Sequence, residues 1–408
     1  MKIICATNMP FAMEAFSSLG ETRILEGRDI KVADVRETDI LALRSTTKVN
    51  RELLEGSKVR FVGTATIGTD HLDLAYFKKA GIKWCFAPGC NANSVSEYIT
   101  AALLYLACNH GFKLSGKTIG VIGVGNVGRR VVEKAHALGL RVLMNDPPRE
   151  STEYGVRSPA SGVRNGLGNP FVSLDRVLAE ADIITVHVPL TQEGADKTVH
   201  LANADFFKRA KKGVIFLNAA RGPVVDSSAL LDALAKGRVS HAVLDTWEGE
   251  PDYRMDLLGR VDIATPHIAG HSFEGKVMGT VMVYREVCKY LNVPATWSHE
   301  ALMPPPLVPE IRVEVAGRED QVVLWDAVRQ VYDWEGDNRR FRESAVADEK
   351  LRIKNFDYLR SHYPERREFQ YTTVTLQGEG EALCRAFRSL GFKLEAVDGE
   401  HNHFIDRR

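Results

Sequence analysis

Arg221 in "NAARGPVVD", Glu250 in "WEGEP" and His267 in "ATPHIAG" each stand just past a short apolar run: "GVIFLNAA" (213–220), "HAVLDTW" (241–247) and "VDIA" (261–264). Such runs read as buried strands, so the three polar side chains sit at strand ends. Together they carry the groups that oxidation of a 2-hydroxy acid needs. Hydride leaves C2 for an acceptor. The hydroxyl proton leaves too, and a histidine titrating near neutrality is the usual base. A carboxylate bonded to that imidazole fixes its tautomer and raises its pKa. An arginine can hold the substrate carboxylate and steady the developing oxyanion. Singly, each has a plainer reading. His267 also suits a fixed turn between Pro266 and Gly270, Glu250 a surface turn before Pro251, and Arg221 an ion pair with Asp226. Three such residues at successive strand ends favour one shared site.

The hydride acceptor has its own signature, "KTIGVIGVGNVGRRVVEKAHALGLRVLMND" (117–146). Residues 118–122 form a strand. Gly123, Gly125 and Gly128 make GxGxxG, with Asn126 and Val127 between the last two. Val127, Val131, Ala135 and Leu138 then recur at helical spacing, and Asp146 ends the next strand. Gly123 allows the tight turn, Gly125 lets backbone approach a pyrophosphate, and Gly128 lets the helix pack on the strand. The helix N-terminus favours phosphate charge. Asp146 can accept from the adenosine ribose hydroxyls and would repel a 2′-phosphate, which selects NAD over NADP. A bare GxGxxG is weak; strand, helix, second strand and terminal acid in order make a dinucleotide site.

These residues need a frame. At 408 residues the chain is too long for a single core and implies two or three domains. Basic and acidic residues balance at 53 each, so no field draws the chain to nucleic acid or to an anionic membrane. The longest apolar run, "ITAALLYLAC" (99–108), is too short to span a bilayer, and "MKIICATNMP" is no signal peptide. Six scattered cysteines, without a CxxC pair, read as reduced cytoplasmic thiols. "KIICA" (2–6), "ILALRS" (40–45) and "VRFVGTA" (59–65) read as strands, and "DHLDLAYFKKAG" (70–81) as a helix stopped by its glycine. A helix opens at Ser94 with Glu97 as its capping box, burying Val95, Tyr98, Ile99, Ala102, Leu103 and Leu106. "ADIITVHVPL" (181–190) is a further strand and "SSALLDALAKGR" (227–238) a further helix, so the pattern is a doubly wound sheet with a crevice at its strand C-termini. Residues 151–172 read as a surface loop. "ALMPPPLVPE" (301–310) is a stiff connector, beyond which "YTTVTL" (371–376), "EALCRAFRSLG" (381–391) and "KLEAVD" (393–398) form a β-α-β layer.

"VGTATIGTDHLD", "PGCNANSVSEY", "GVIGVGNVGRR", "NDPPR", "NAARGPVVD", "VLDTWEGEP" and "TPHIAG" resemble the D-2-hydroxyacid dehydrogenase family, over nearly the whole chain. The resemblance implies a Rossmann-type NAD-binding domain (94–267), a flavodoxin-like α/β substrate domain (1–93, completed by 268–292) and a small α+β C-terminal dimerisation domain (293–408). It makes Arg221, Glu250 and His267 catalytic. It places Asp146, Arg221, Asp245 and Gly270 on NAD, beside the glycine loop, Val188, Ala219 and Ala220. Ser45 and Thr66 would touch the substrate, and the product would be a 2-oxo acid phosphate feeding pyridoxal phosphate synthesis. The chain departs from the family pattern at His271, where a tyrosine is usual, and at Val188, where a threonine is usual.

A phosphorylated 2-hydroxy acid needs cationic partners besides Arg221. Arg44 is one candidate, and the adjacent Arg366 and Arg367 are others, one of them reaching the phosphate of a second subunit in a homodimer. Their plainer reading is surface ion pairs with Glu365 and Glu368. His271 could contact substrate as well. Neither metal, nucleic acid nor membrane is expected. Two rival readings stay open: a sibling dehydrogenase for 3-phosphoglycerate or hydroxypyruvate, and a non-catalytic NAD-sensing interaction protein.

Overall fold

The computed structural model describes residues 1–154, 170–378 and 380–395, in two compact units. Most of the 151–172 loop and the end of the "KLEAVD" strand lie outside the described residues.

The first unit comprises residues 1–94 and 270–305. Its parallel sheet has strands β1 (Lys2–Ala6), β2 (Glu21–Leu25), β3 (Ile40–Leu43), β4 (Phe61–Thr64) and β5 (Lys83–Phe86), in the flavodoxin-like order β2-β1-β3-β4-β5. The sequence names β1, β3 and β4 because these central strands are buried on both faces and read as unbroken apolar runs. β2 and β5 escape notice because they are edges with half-exposed side chains. The helix Leu74–Ala80 is capped by the Asp73 carboxylate and stops at Gly81, whose φ of 72° suits glycine. The helix Phe273–Leu291 crosses the sheet, with Val283, Tyr284 and Val287 buried against Ile3, Cys5 and Phe61.

The second unit comprises residues 95–269 and 306–408. Its main sheet is parallel, with β6 (Thr118–Ile122), β7 (Arg141–Asn145), β8 (Ile183–Val186), β9 (Val214–Asn218), β10 (Val239–Leu244) and β11 (Ile263–Ala264), in the order β11-β10-β9-β8-β6-β7. The chain winds to β7 on one side of β6 and to β8 on the other. The switch point therefore lies at β6, where the glycine loop begins. A smaller parallel sheet follows, β12 (Glu310–Glu314), β13 (Thr373–Gln377) and β14 (Lys393–Glu395), in sequence order. The helix Glu381–Leu390 joins β13 to β14, the β-α-β layer read from the sequence. Helices Asp320–Val331, Trp334–Ser344 and Glu349–Ser361 lie between β12 and β13 in the chain.

The helix Ala92–His110 buries the apolar stripe as its spacing requires, but it does not start at Ser94. It begins two residues earlier, so Ser94 is inside the first turn and cannot cap it. Glu97 serves elsewhere: its buried carboxylate accepts the backbone N–H of Phe369 at 2.9 Å. Among the described residues no helix is long and apolar enough to cross a membrane.

Candidate active site

The glycine loop is built as its spacing demands. Gly123 has φ +86°, and a Cβ there would lie 2.7 Å from the His187 carbonyl. A Cβ on Gly128 would lie 2.0 Å from the Gly123 carbonyl oxygen, so the helix Asn126–Ala137 can pack only on glycine. A Cβ on Gly125 would meet nothing within 4 Å, which leaves room for backbone to approach a pyrophosphate. Asp146, past the end of β7, accepts the N–H of Val124 at 2.7 Å and that of Arg149 at 3.1 Å. Arg149 in turn donates to the Val124 carbonyl. Open space at Gly125, N–H groups at a helix start and a carboxylate on the neighbouring strand fit a dinucleotide. Asn126 and Val127 open that helix. Val188 lies past β8, against the position a Gly123 Cβ would take.

His267 stands beyond β11 in a left-handed backbone conformation, φ 56°. A non-glycine residue costs about 1–2 kcal/mol there and needs surroundings that enforce it. Asp245 supplies them. Its backbone carbonyl accepts the His267 N–H at 2.6 Å. Its buried carboxylate accepts Ile268 N–H at 2.7 Å, Ala269 N–H at 3.0 Å and the Thr265 hydroxyl at 2.7 Å. Burial raises the Asp245 pKa, and the nearby imidazole and these donors temper the rise. The Tyr98 hydroxyl pairs with Thr265 at 2.8 Å, and the Trp247 indole donates to the Thr265 carbonyl at 2.9 Å.

Glu250 meets the imidazole directly, Oε1 to Nδ1 at 2.5 Å, while its Oε2 accepts the Trp247 N–H at 3.0 Å. Burial pushes this carboxyl up. The charge and hydrogen bond of His267, the Trp247 N–H and the charge of Arg360 outweigh burial, so Glu250 is held below its ordinary value. An ionised Glu250 accepts the hydrogen bond of Nδ1–H, which leaves Nε2 as the unprotonated acceptor.

Arg221 follows β9 after Ala219 and Ala220, and its guanidinium donates to the Ala220 carbonyl at 2.8 Å. Gly222 beside it is obligatory, since a Cβ would fall 2.0 Å from the Trp247 carbonyl. The Arg221 turn and the Trp247–Glu250 turn therefore pack backbone to backbone.

In the first unit, Arg44 and Ser45 follow β3 and Thr66 follows the adjacent β4. Arg44 donates to the Ala65 carbonyl at 2.8 Å, and Thr66 donates to the Gly68 carbonyl at 2.8 Å. His71, which sequence reasoning passed over, lies 3.0 Å from Thr64, and burial pushes its pKa down to about 4. Gly270 packs so tightly on Asn91 that a Cβ would lie 2.0 Å from its amide nitrogen. His271 is half-buried just before Ser272, which caps the helix Phe273–Leu291.

Arg366 and Arg367 are buried, 5% and 4% exposed, so the surface ion pairs of their plainer reading do not describe them. Arg366 donates to the Ala269 carbonyl at 3.3 Å and lies over the Tyr332 ring, 4.2 Å from its centroid. Arg367 lies over the Tyr371 ring at 4.7 Å. Among the described residues, His110, His241 and Asp262 bring ligand-type atoms within 4.8 Å. Asp262 Oδ1 hydrogen-bonds His241 Nδ1 at 2.9 Å and lies 3.2 Å from His110 Nε2, at the N-terminal ends of β10 and β11, opposite the end that carries His267.

Residues 105–269 match the family described as D-isomer specific 2-hydroxyacid dehydrogenase, NAD binding domain, and residues 302–391 match a domain of unknown function, DUF3410. Erythronate-4-phosphate dehydrogenase of Azotobacter vinelandii is 45% identical over 392 residues, covering 96% of this chain and 99% of the relative. The enzyme of the same name from Cronobacter sakazakii is 44% identical, covering 96% and 98%. Among solved structures, the TT0316 protein of Thermus thermophilus superposes with a TM-score of 0.59 at 25% identity, covering 72% of this chain and 99% of its own. The NAD-bound 3-phosphoglycerate dehydrogenase of Entamoeba histolytica has the same fold, with a TM-score of 0.59, 22% identity and coverage of 72% and 95%.

Proposed function

The chain belongs to the erythronate-4-phosphate dehydrogenases, within the D-isomer-specific 2-hydroxyacid dehydrogenases, and we propose that it oxidises 4-phosphoerythronate to 2-oxo-3-hydroxy-4-phosphobutanoate in vitamin B6 biosynthesis. The observation that carries the reading is the 2.5 Å His267–Glu250 pair at a strand end of the unit that holds a complete dinucleotide loop. Bound NAD supplies the acceptor for the C2 hydride. The protein's residues do the rest. His267 Nε2 takes the C2 hydroxyl proton while the C2–H electron pair leaves, and the C2–O bond becomes a carbonyl. Glu250 stabilises the imidazolium so formed. Arg221 holds the substrate carboxylate.

In the second unit we assign Gly123, Gly125, Asn126, Val127, Gly128, Asp146, Val188, Ala219, Ala220, Arg221 and Asp245 to the cofactor, and in the first unit Gly270. Arg44, Ser45, Thr66 and His271 are assigned to the substrate. We retain the three-part division at residues 93, 267 and 292, and a homodimer formed through the C-terminal part. Exposed Leu307, Leu351 and Tyr358 in that part support the dimer. Arg366 and Arg367 are the further candidates for the substrate phosphate, one of them reaching that of a second subunit in the homodimer. Six scattered cysteines without a CxxC pair support a cytoplasmic location.

The test is NADH fluorescence on mixing the enzyme and NAD with 4-phosphoerythronate or with 3-phosphoglycerate, a carbonyl trap drawing off product. The expected kcat/KM is at least tenfold higher for 4-phosphoerythronate. A preference for 3-phosphoglycerate would favour the sibling dehydrogenase. Tight NADH binding without turnover of either would favour an NAD-sensing protein.

A further inference from the structure

The segment matching a domain of unknown function folds back onto the strand ends that carry the acid–base pair. β11 is the edge of its sheet and only two residues long, so it presents backbone groups that no strand satisfies. The helix Trp334–Ser344 satisfies them with side chains. Asn338 Oδ1 accepts the Ala264 N–H at 2.9 Å. Arg342 donates to the carbonyls of Leu258 at 2.8 Å, Val261 at 2.7 Å and Asp262 at 3.3 Å, and its Nε bonds Asn338 Oδ1 at 2.9 Å. Two bonded residues thus fix the backbone from 258 to 264, three residues before His267. Past the histidine, Arg366 takes the Ala269 carbonyl.

The Glu250 turn is held from the same side. Phe341 lies 5.6 Å from the Trp247 ring and 4.8 Å from that of Tyr253. From the helix Glu349–Ser361, Phe356 packs on Tyr253 at 5.8 Å and Arg352 pairs with Asp252 at 2.5 Å. Every one of these contacts falls on residues 247–269, the stretch that carries Glu250 and His267. None touches the reacting atoms.

We propose that residues 334–369 are a brace that sets the geometry of the Glu250–His267 pair, with Asn338 and Arg342 as positioning residues. His267 sits in a backbone conformation that only its surroundings enforce, and proton transfer depends on where its Nε2 points. A displacement near 1 Å at a reacting centre costs on the order of 10²-fold in rate. The brace gives the domain of unknown function a catalytic purpose distinct from pairing subunits.

This inference rests on His267 and Glu250 being the acid–base pair. Asn338→Leu deletes the acceptor for Ala264 at similar volume, and Asn338→Asp restores it. Measured with 4-phosphoerythronate, Asn338→Leu should lower kcat about 10- to 100-fold, with KM and the NADH dissociation constant within about threefold of wild type. Asn338→Asp should recover kcat to within about threefold. If Asn338→Leu gives no folded protein, Arg342→Lys, which keeps the charge but cannot grip three carbonyls, should show the same kcat loss. Near-normal kcat in whichever variant folds, or a kcat in Asn338→Asp as low as in Asn338→Leu, overturns the brace. A wild type without turnover would instead remove the acid–base reading beneath it.

Discussion

His267 and Glu250 are legible as single residues because chemistry and position coincide, a base and an acid past the ends of buried strands. The 2.5 Å bond between them gives Glu250 a measurable signature. Its pKa is lowered in the fold, so its ionisation stabilises the protein above the ordinary carboxylate pKa of about 4.3, and that contribution is lost as pH falls through the lowered folded value. Denaturation across pH 3–7 should therefore show wild type more stable than Glu250→Gln near neutrality, with the gap closing toward pH 3. A gap independent of pH would contradict this. The same substitution should lower kcat about 10- to 100-fold, because a neutral amide no longer stabilises the imidazolium. Asp245 was less legible. It reads as a cofactor ligand by resemblance, yet its carboxylate accepts from three groups of the histidine's own turn. Nothing in local spacing announces a residue that holds a turn some twenty positions away.

Whole elements divide along the same line. Central parallel strands are apolar throughout and announce themselves, and so does a glycine loop between strand and helix. Edge strands do not, and the sequence "DNRRFRES" looks like a solvated helix face although Asn338 and Arg342 cap the β11 edge. The Ser94–Glu97 spacing copies a capping box, but the helix starts earlier and Glu97 is drawn into a buried cluster with Lys134, Arg366 and Glu368. Burial and the charge of Glu368 push the Glu97 pKa up to about 8, against the lowering effects of Arg366 and Lys134. A raised carboxyl pKa means the folded state holds its proton longer. The contribution is complete below the ordinary carboxylate value and is lost as pH rises toward about 8. The melting temperature of wild type should thus fall relative to Glu97→Gln between pH 5 and pH 8.5, by several degrees. Parallel curves for the two proteins would show that Glu97 is not protonated in the fold.

At the scale of the molecule, the alternation of strands and helices gave both doubly wound sheets. The docking of residues 334–369 on 247–269 was invisible, because contacts that far apart in the chain leave no periodicity. Cofactor choice belongs to this scale too, since it joins the β6 loop to the β7 terminus. With Asp146 as the proposed ribose acceptor past the end of β7 and Arg149 turned onto the Val124 carbonyl, NADH should bind at least tenfold more tightly than NADPH, about 1.4 kcal/mol. Equal affinities by fluorescence titration would contradict that. In the proposed reaction His267 carries the proton while the rest of the molecule holds NAD and the substrate in place. Single-turnover oxidation of 4-phosphoerythronate by His267→Ala, beside an NADH titration of the same protein, tests it most directly. The rate should fall about 10²- to 10⁴-fold with NADH affinity unchanged; a turnover rate near wild type would return His267 to the role of a turn residue.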